Sequence, residues 1–251
     1  MSANEAVISS AAPATGKPQR IAAVWHFLGF LVIMAATAGL GFYAQYAAGK
    51  GGGVSSGQLA EHGKATSVYL VAALMDWALL YYCWVGVHRR GGTLRTLTGG
   101  RWNSWKDILT DVAIALPFWF VWEGTAYGVQ WVLGPSSAKS VASLLPKSLQ
   151  EILLWIAVSI TAGICEETAF RGYLQRQLHA LSGSLAVAVL VQAVVFGIAH
   201  AYQGWKQTVV ITVLGVLYGI LAAWRRNLRA NMMAHAASDI WEGWLKMAVR
   251  M

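Results

Sequence analysis

The chain has 251 residues, 57% of them hydrophobic and 12% charged, with a net charge of +8 and a mean hydropathy of +0.49. Soluble domains carry about a quarter charged residues, so this composition excludes a water-soluble globular fold. The basic residues sit at the ends of apolar runs and not along one face, which sets nucleic acid aside as a partner and makes membrane topology the reason for the excess charge.

Residues 1–20, rich in Ala and Ser with Pro13, Gly16 and Pro18, lack helical periodicity and read as a disordered cytoplasmic tail. The apolar run that follows is too long for a signal-peptide core and has no well-placed cleavage site, so it reads as a retained anchor. About 20 mostly apolar residues suffice to cross a bilayer as a helix. By that measure spans are expected near 21–46, 66–87, 108–133, 150–178, 184–202, 207–225 and 230–248. The expected fold is an all-α, polytopic transmembrane bundle of about seven spans, with eight as the alternative. Its N-terminal helices occupy 21–147, and a second transmembrane unit occupies 148–251. Gly49 to Gly53, then Gly91, Gly92, Gly99 and Gly100, then Gly134 and Pro135, punctuate the first three spans.

With the amino terminus in the cytoplasm, Lys17, Arg20, Arg89, Arg90, Arg95, Arg101, Arg176, Arg225, Arg226 and Arg229 fall on the cytoplasmic side, leaving Lys50, Lys64, Lys139, Lys147, Lys206, Lys246 and Arg250 opposite. This follows the positive-inside rule and suits the plasma (inner) membrane of a bacterium. Trp102, Trp105, Trp205 and Trp224 near span ends fit an interfacial aromatic belt. Cys83 and Cys165 lie in separate apolar runs, without CxxC spacing, and read as packing residues.

Ionisable groups at bilayer depth are costly and usually functional. They are Asp76, Glu123, Glu166, Glu167, His200, His235, Asp239 and Glu242, six of them in the C-terminal half. Asp76 and Glu123 belong to no sequence cluster and read as hydrogen-bonding partners between helices. Arg171 follows Glu167 by four residues and shares its helical face. Two adjacent carboxylates cannot both ionise cheaply in low dielectric. Arg171 can hold Glu167 charged while Glu166 stays free to take up and release a proton, so Glu167 orients and Glu166 does acid/base work.

His235 and Asp239 are four residues apart, and Glu242 follows on roughly the same face. At about 1.5 Å per residue, Glu166 and Asp239 each lie roughly 15 Å inside the basic boundary. The turn at Ser182 and Gly183 puts Glu166 and His200 at nearly equal distances along an antiparallel hairpin. These groups are expected to form one site. Peptide hydrolysis needs a base for water, donors for the developing negative charge and a proton for the leaving amine, and two Glu, two His and an Asp supply all three.

Glu166 to Arg171 reads EExxxR, Phe196 to His200 reads FxxxH, and His235 to Asp239 reads HxxxD. In this order and with these gaps, the motifs resemble the CPBP family of CAAX proteases and bacteriocin-processing enzymes, also called Abi. The resemblance covers about residues 150–245 and implies an all-helical, glutamate-dependent intramembrane peptidase. It implies that Glu166 with His200 activates water, that Glu167 and Arg171 brace the site, and that His235 with Asp239 contacts the oxyanion. The family's prenyl-protein proteases typically carry Asn where this chain has Asp239, and a carboxyl can donate there only when protonated.

Other readings remain open. Glu166, His200 and His235 could instead bind a divalent metal such as zinc, although no HExxH is present, and the resemblance favours no cofactor. A non-catalytic membrane binder or immunity protein could use the same scaffold. A proton-coupled transporter would also bury carboxylates, but two related halves with broken helices are not evident. The expected partners are the bilayer and a membrane-tethered or lipidated polypeptide substrate.

Overall fold

A computed structural model describes residues 19–49, 65–134 and 145–248. The expected tail over residues 1–18 lies outside them, as do Lys17, Lys50, Gly51 to Gly53, Lys64, Pro135, Lys139 and Arg250. The described residues form helices and turns. These are α1 (Val24–Gly49), α2 (Ala65–His88), the short α3 (Leu94–Thr98) and α4 (Trp105–Leu133). Then come α5 (Leu149–Glu166), a π-helical segment (Glu167–Leu174), α6 (Gln175–Ser182), α7 (Leu185–Ala199), α8 (Trp205–Arg225) and α9 (Arg229–Ala248).

Each expected span therefore has its helix. Five helical stretches are long and apolar enough to cross a membrane: Val24–Tyr43, Ala65–His88, Trp105–Leu133, Leu149–Ser182 and Trp205–Arg225. Helix α7 is apolar but has only 15 residues, and α9, with 20, is too polar over its length to meet the same measure. Helix α7 thus falls short by length alone, whereas α9 carries His235 and Asp239 and its polar site dilutes the hydropathy signal.

Local chemistry sets the ends. Ser104 caps α4 by accepting the Asp107 amide while Asp107 accepts the Ser104 amide, a reciprocal capping box. Ser148 and Ser184 accept the Glu151 and Val187 amides at the starts of α5 and α7. Gly183, at φ 71°, takes the left-handed conformation that closes α6 and reverses the chain into α7.

The helices leave broad apolar faces outward, with Leu74, Tyr127, Trp131 and Val132 among the most exposed side chains. In lipid such faces cost nothing. Inside, Phe27 and Phe30 of α1 pack with Phe170 and Tyr173 of the π segment and Phe196 of α7. A second core joins Trp122 of α4, Leu214 and Tyr218 of α8, and Ala230 and Ala234 of α9.

A buried ion cluster pins the basic boundary. Asp111 on α4, fully buried, pairs with Arg225 at 2.9 Å and Arg229 at 2.7 Å, and accepts the Trp102 indole N–H at 2.8 Å. Sequence reading passed over Asp111 because it sits only a turn and a half inside α4, where a carboxylate reads as interfacial. Nearby, Gln177 accepts the Ile21 and Ala22 amides and donates to the Ala22 carbonyl, which holds the start of α1 against α6.

Candidate active site

Glu166 is the last residue of regular α-helix in α5, and Glu167 opens the π segment. A π turn widens the helix by one residue and commonly marks a functional site. Through this segment every residue from Glu167 to Leu174 is buried, which polar groups tolerate only when paired.

The pairing is extensive. Glu167 Oε1 accepts from Arg171 Nη1 at 2.9 Å and from His235 Nδ1 at 2.9 Å, and Oε2 accepts from Asn231 Nδ2 at 3.2 Å. The Arg171 guanidinium lies over the Phe196 ring at 4.3 Å and the Tyr218 ring at 5.0 Å, and His235 stacks on Tyr218 with centroids 5.3 Å apart. Glu167 thus joins the π segment to α9 as well as to its own Arg171. Asn231 was not among the sequence candidates. It sits one turn before His235, a spacing that places it on the same face, but a neutral side chain carries no signal in an apolar run.

Close approach of α5 and α9 makes this possible. A Cβ at Gly163 would lie 2.8 Å from the Met232 carbonyl oxygen and 3.1 Å from the Ala236 nitrogen, so only glycine lets the two backbones meet here.

Glu166 faces the other way. Its Oε2 stands 3.8 Å from His200 Nε2 and 3.8 Å from His235 Nε2, and it is buried without a hydrogen-bond partner among the described residues. His200 caps the end of α7, and its Nδ1 lies 2.8 Å from the Phe196 carbonyl oxygen. A carbonyl can only accept, so Nδ1 carries a proton and Nε2 points toward Glu166. His235 Nδ1–H donates to Glu167, and its Nε2 points toward Glu166 and, at 3.8 Å, toward Asp239 Oδ2. Asp239 is the most open of the set, and its backbone carbonyl accepts the Trp155 indole N–H at 3.0 Å.

The structure therefore brings Glu166, Glu167, Arg171, His200, His235 and Asp239 into one cluster. Asp76 departs from the expectation that it stands apart. Tyr69, Asp76 and Cys83 recur every seven residues on one face of α2, and that face packs along α5. Tyr69 meets Trp155 with ring centroids 5.6 Å apart, and the Asp76 carboxyl lies within electrostatic reach of Glu166, His235 and Asp239. No local pattern could have found Asp76, because its cluster partners all lie on helices far along the chain. Cys83 and Cys165 are buried free thiols, as packing residues would be.

Among the described residues, no group of three or more His, Cys, Asp or Glu side chains has the arrangement of a metal site. Between α4 and α9, an apolar cavity of about 630 Å³ is lined by residues including Leu116, Trp119, Met233, Ala237 and Trp241. Ala234, Ala237 and Trp241 line it from one stripe of α9, and His235 and Asp239 lie one residue step around the same helix.

No curated protein and no solved structure matches the chain. Residues 148–241 match the family described as type II CAAX prenyl endopeptidase Rce1-like. That stretch runs from the cap of α5 to two residues past Asp239, and it contains all six clustered residues. With its bundle of apolar helices the chain is a multi-pass membrane protein, and over residues 148–241 it is similar to the type II CAAX prenyl endopeptidases.

Proposed function

We propose that the protein hydrolyses a peptide bond of a membrane-tethered or lipidated polypeptide, with a water activated by Glu166 and His200 and without a metal ion. One observation carries this reading: a buried, unpartnered carboxylate oxygen of Glu166 facing two imidazole Nε2 atoms at 3.8 Å. A water about 2.8 Å from that oxygen also comes within hydrogen-bond reach of either ring.

Glu166 takes a proton from the water as its oxygen bonds to the scissile carbonyl carbon, and His200 holds the water's second hydrogen. His235, doubly protonated between Glu166, Glu167 and Asp239, donates its Nε2–H to the oxyanion, and Asp239 joins it in the protonated form. Collapse of the intermediate breaks the C–N bond, and the proton held by Glu166 passes to the leaving amine. Glu167, Arg171 and Asn231 fix the ring of His235. The apolar cavity beside α9 takes the lipid chain or apolar segment of the substrate, with the bilayer as its route in. The basic boundary faces the cytoplasm on the positive-inside rule.

The test is a cleavage assay in detergent on protein stripped with a strong chelator, beside Glu166→Gln. Retained activity in the first and loss in the second support the reading. Loss on chelation with recovery on zinc would instead make Glu166, His200 and His235 the ligands of a metal, with Glu167 orienting His235 behind it. Full turnover by Glu166→Gln would remove Glu166 as the base. Comparing the membrane proteome of cells carrying the chain with cells carrying Glu166→Ala identifies the substrate by the fragments that disappear. An unchanged proteome together with an inert purified protein would favour the membrane-binding or immunity reading.

A further inference from the structure

A second polar site lies at the basic boundary, where α1 begins and α2 ends. A cavity of about 210 Å³ is lined by Ala23, Trp25, His26, Gly86, Arg89 and Arg90. His26 is 2% exposed and lies across α2, stacked on Tyr82 with centroids 4.1 Å apart. A Cβ at Gly86 would come within 2.4 Å of the His26 ring, so glycine is what admits it. The ring's Nδ1 lies 2.8 Å from the Tyr173 hydroxyl, and its Nε2 is buried with no hydrogen-bond partner among the described residues.

The proton assignment follows from the partners. The Tyr173 hydroxyl has no other hydrogen-bond partner among the described residues, and when its O–H donates to Nδ1 the ring's own proton sits on Nε2. In that tautomer an N–H donor is left unused under a pocket rimmed by two arginines. Arg89 lies over the Trp25 ring at 5.7 Å, its charge acts on His26, and neither Arg89 nor Arg90 forms an ion pair among the described residues. A buried unpaired donor is costly, and two uncompensated guanidinium groups beside it offer the fork geometry that suits phosphate oxygens.

We infer that this pocket binds a phosphate group, with His26 Nε2–H at its base and Arg89 and Arg90 at its rim. Trp25, strongly exposed beside it, sets the pocket at the interfacial level where lipid headgroups lie. Tyr173 belongs to the π segment that carries Glu167 and Arg171, so an occupant touches the active-site segment through one hydrogen bond.

The experiment titrates the full chain in nonionic detergent with dihexanoyl phosphatidic acid, with inorganic phosphate and with dihexanoylglycerol, reading the thermal midpoint and bound mass by native mass spectrometry. Phosphatidic acid is expected to bind and stabilise, and dihexanoylglycerol, which lacks only the phosphate, is not. Equal binding of inorganic phosphate marks a soluble anion as ligand, whereas binding of the lipid alone marks a headgroup. Arg89→Gln with Arg90→Gln should weaken binding roughly tenfold or more while leaving the fold intact, since both side chains are exposed. His26→Phe should abolish it, with the arginine pair as the control should that variant fail to fold. Equal binding of dihexanoylglycerol, or phosphate binding unchanged in the double arginine variant, would overturn the assignment.

Discussion

Glu167 Oε1 and His235 Nδ1 lie 2.9 Å apart although 68 residues separate them in the chain. That bond fixes the orientation of the imidazole and turns Nε2 toward Glu166. It also makes Glu167 a joint between the π segment and α9, with no direct part in water activation. The two adjacent glutamates should therefore respond differently to substitution.

Replacing Glu166 by Gln keeps volume and removes the base. Activity should fall by a factor on the order of a hundred or more, with a thermal midpoint near that of the unaltered protein.

Replacing Arg171 by Ala leaves the Glu167 carboxylate buried without its main counter-charge, as both side chains are 0% exposed. Stability should drop by about 3 kcal/mol or more, together with activity. Thermal unfolding in detergent beside a cleavage assay separates the two classes, and an Arg171→Ala protein as stable as the parent would contradict the bracing role.

Asp76→Asn replaces an ionisable carboxyl within electrostatic reach of Glu166, His235 and Asp239 by a neutral amide of the same size. If Asp76 belongs to the working site, the pH profile of cleavage should move while the thermal midpoint stays close to the parent's. A profile identical to the parent's would return Asp76 to a packing role.

Gly163→Val tests the close approach of α5 and α9. Its Cβ would lie 2.8 Å from the Met232 carbonyl oxygen, so the helices must part and carry His235 away from Glu166. Cleavage should fall at least tenfold, since displacements of about 1 Å at a reacting centre cost as much as a hundredfold. Unchanged cleavage would show that the contact is not what positions the histidine.

Asp111→Asn leaves Arg225 and Arg229 without their shared partner at the basic boundary. The loss should be on the order of 2 kcal/mol, below the value for a wholly buried pair because both arginines reach solvent. It should appear in thermal unfolding, with cleavage per folded molecule unchanged.

Helical periodicity and apolar run length were enough to read the spans, because backbone hydrogen bonds in lipid must be closed within each segment and leave little choice of structure. The same period of 3.6 residues paired Glu167 with Arg171 and placed His235 and Asp239 on one face. Equal depths below the basic boundary put Glu166, His200 and Asp239 in one layer. Depth, however, does not say which faces turn toward one another. The lateral packing of α2, α5, α7 and α9 decided that Asp76 joins the cluster, that Asn231 and His235 take hold of Glu167, and that His26 is left with an unused donor beside Arg89 and Arg90. The reason is physical: periodicity is a property of one helix, whereas Gly163 against Met232 and Gly86 against His26 are contacts between helices, set by shape at separations no local pattern spans.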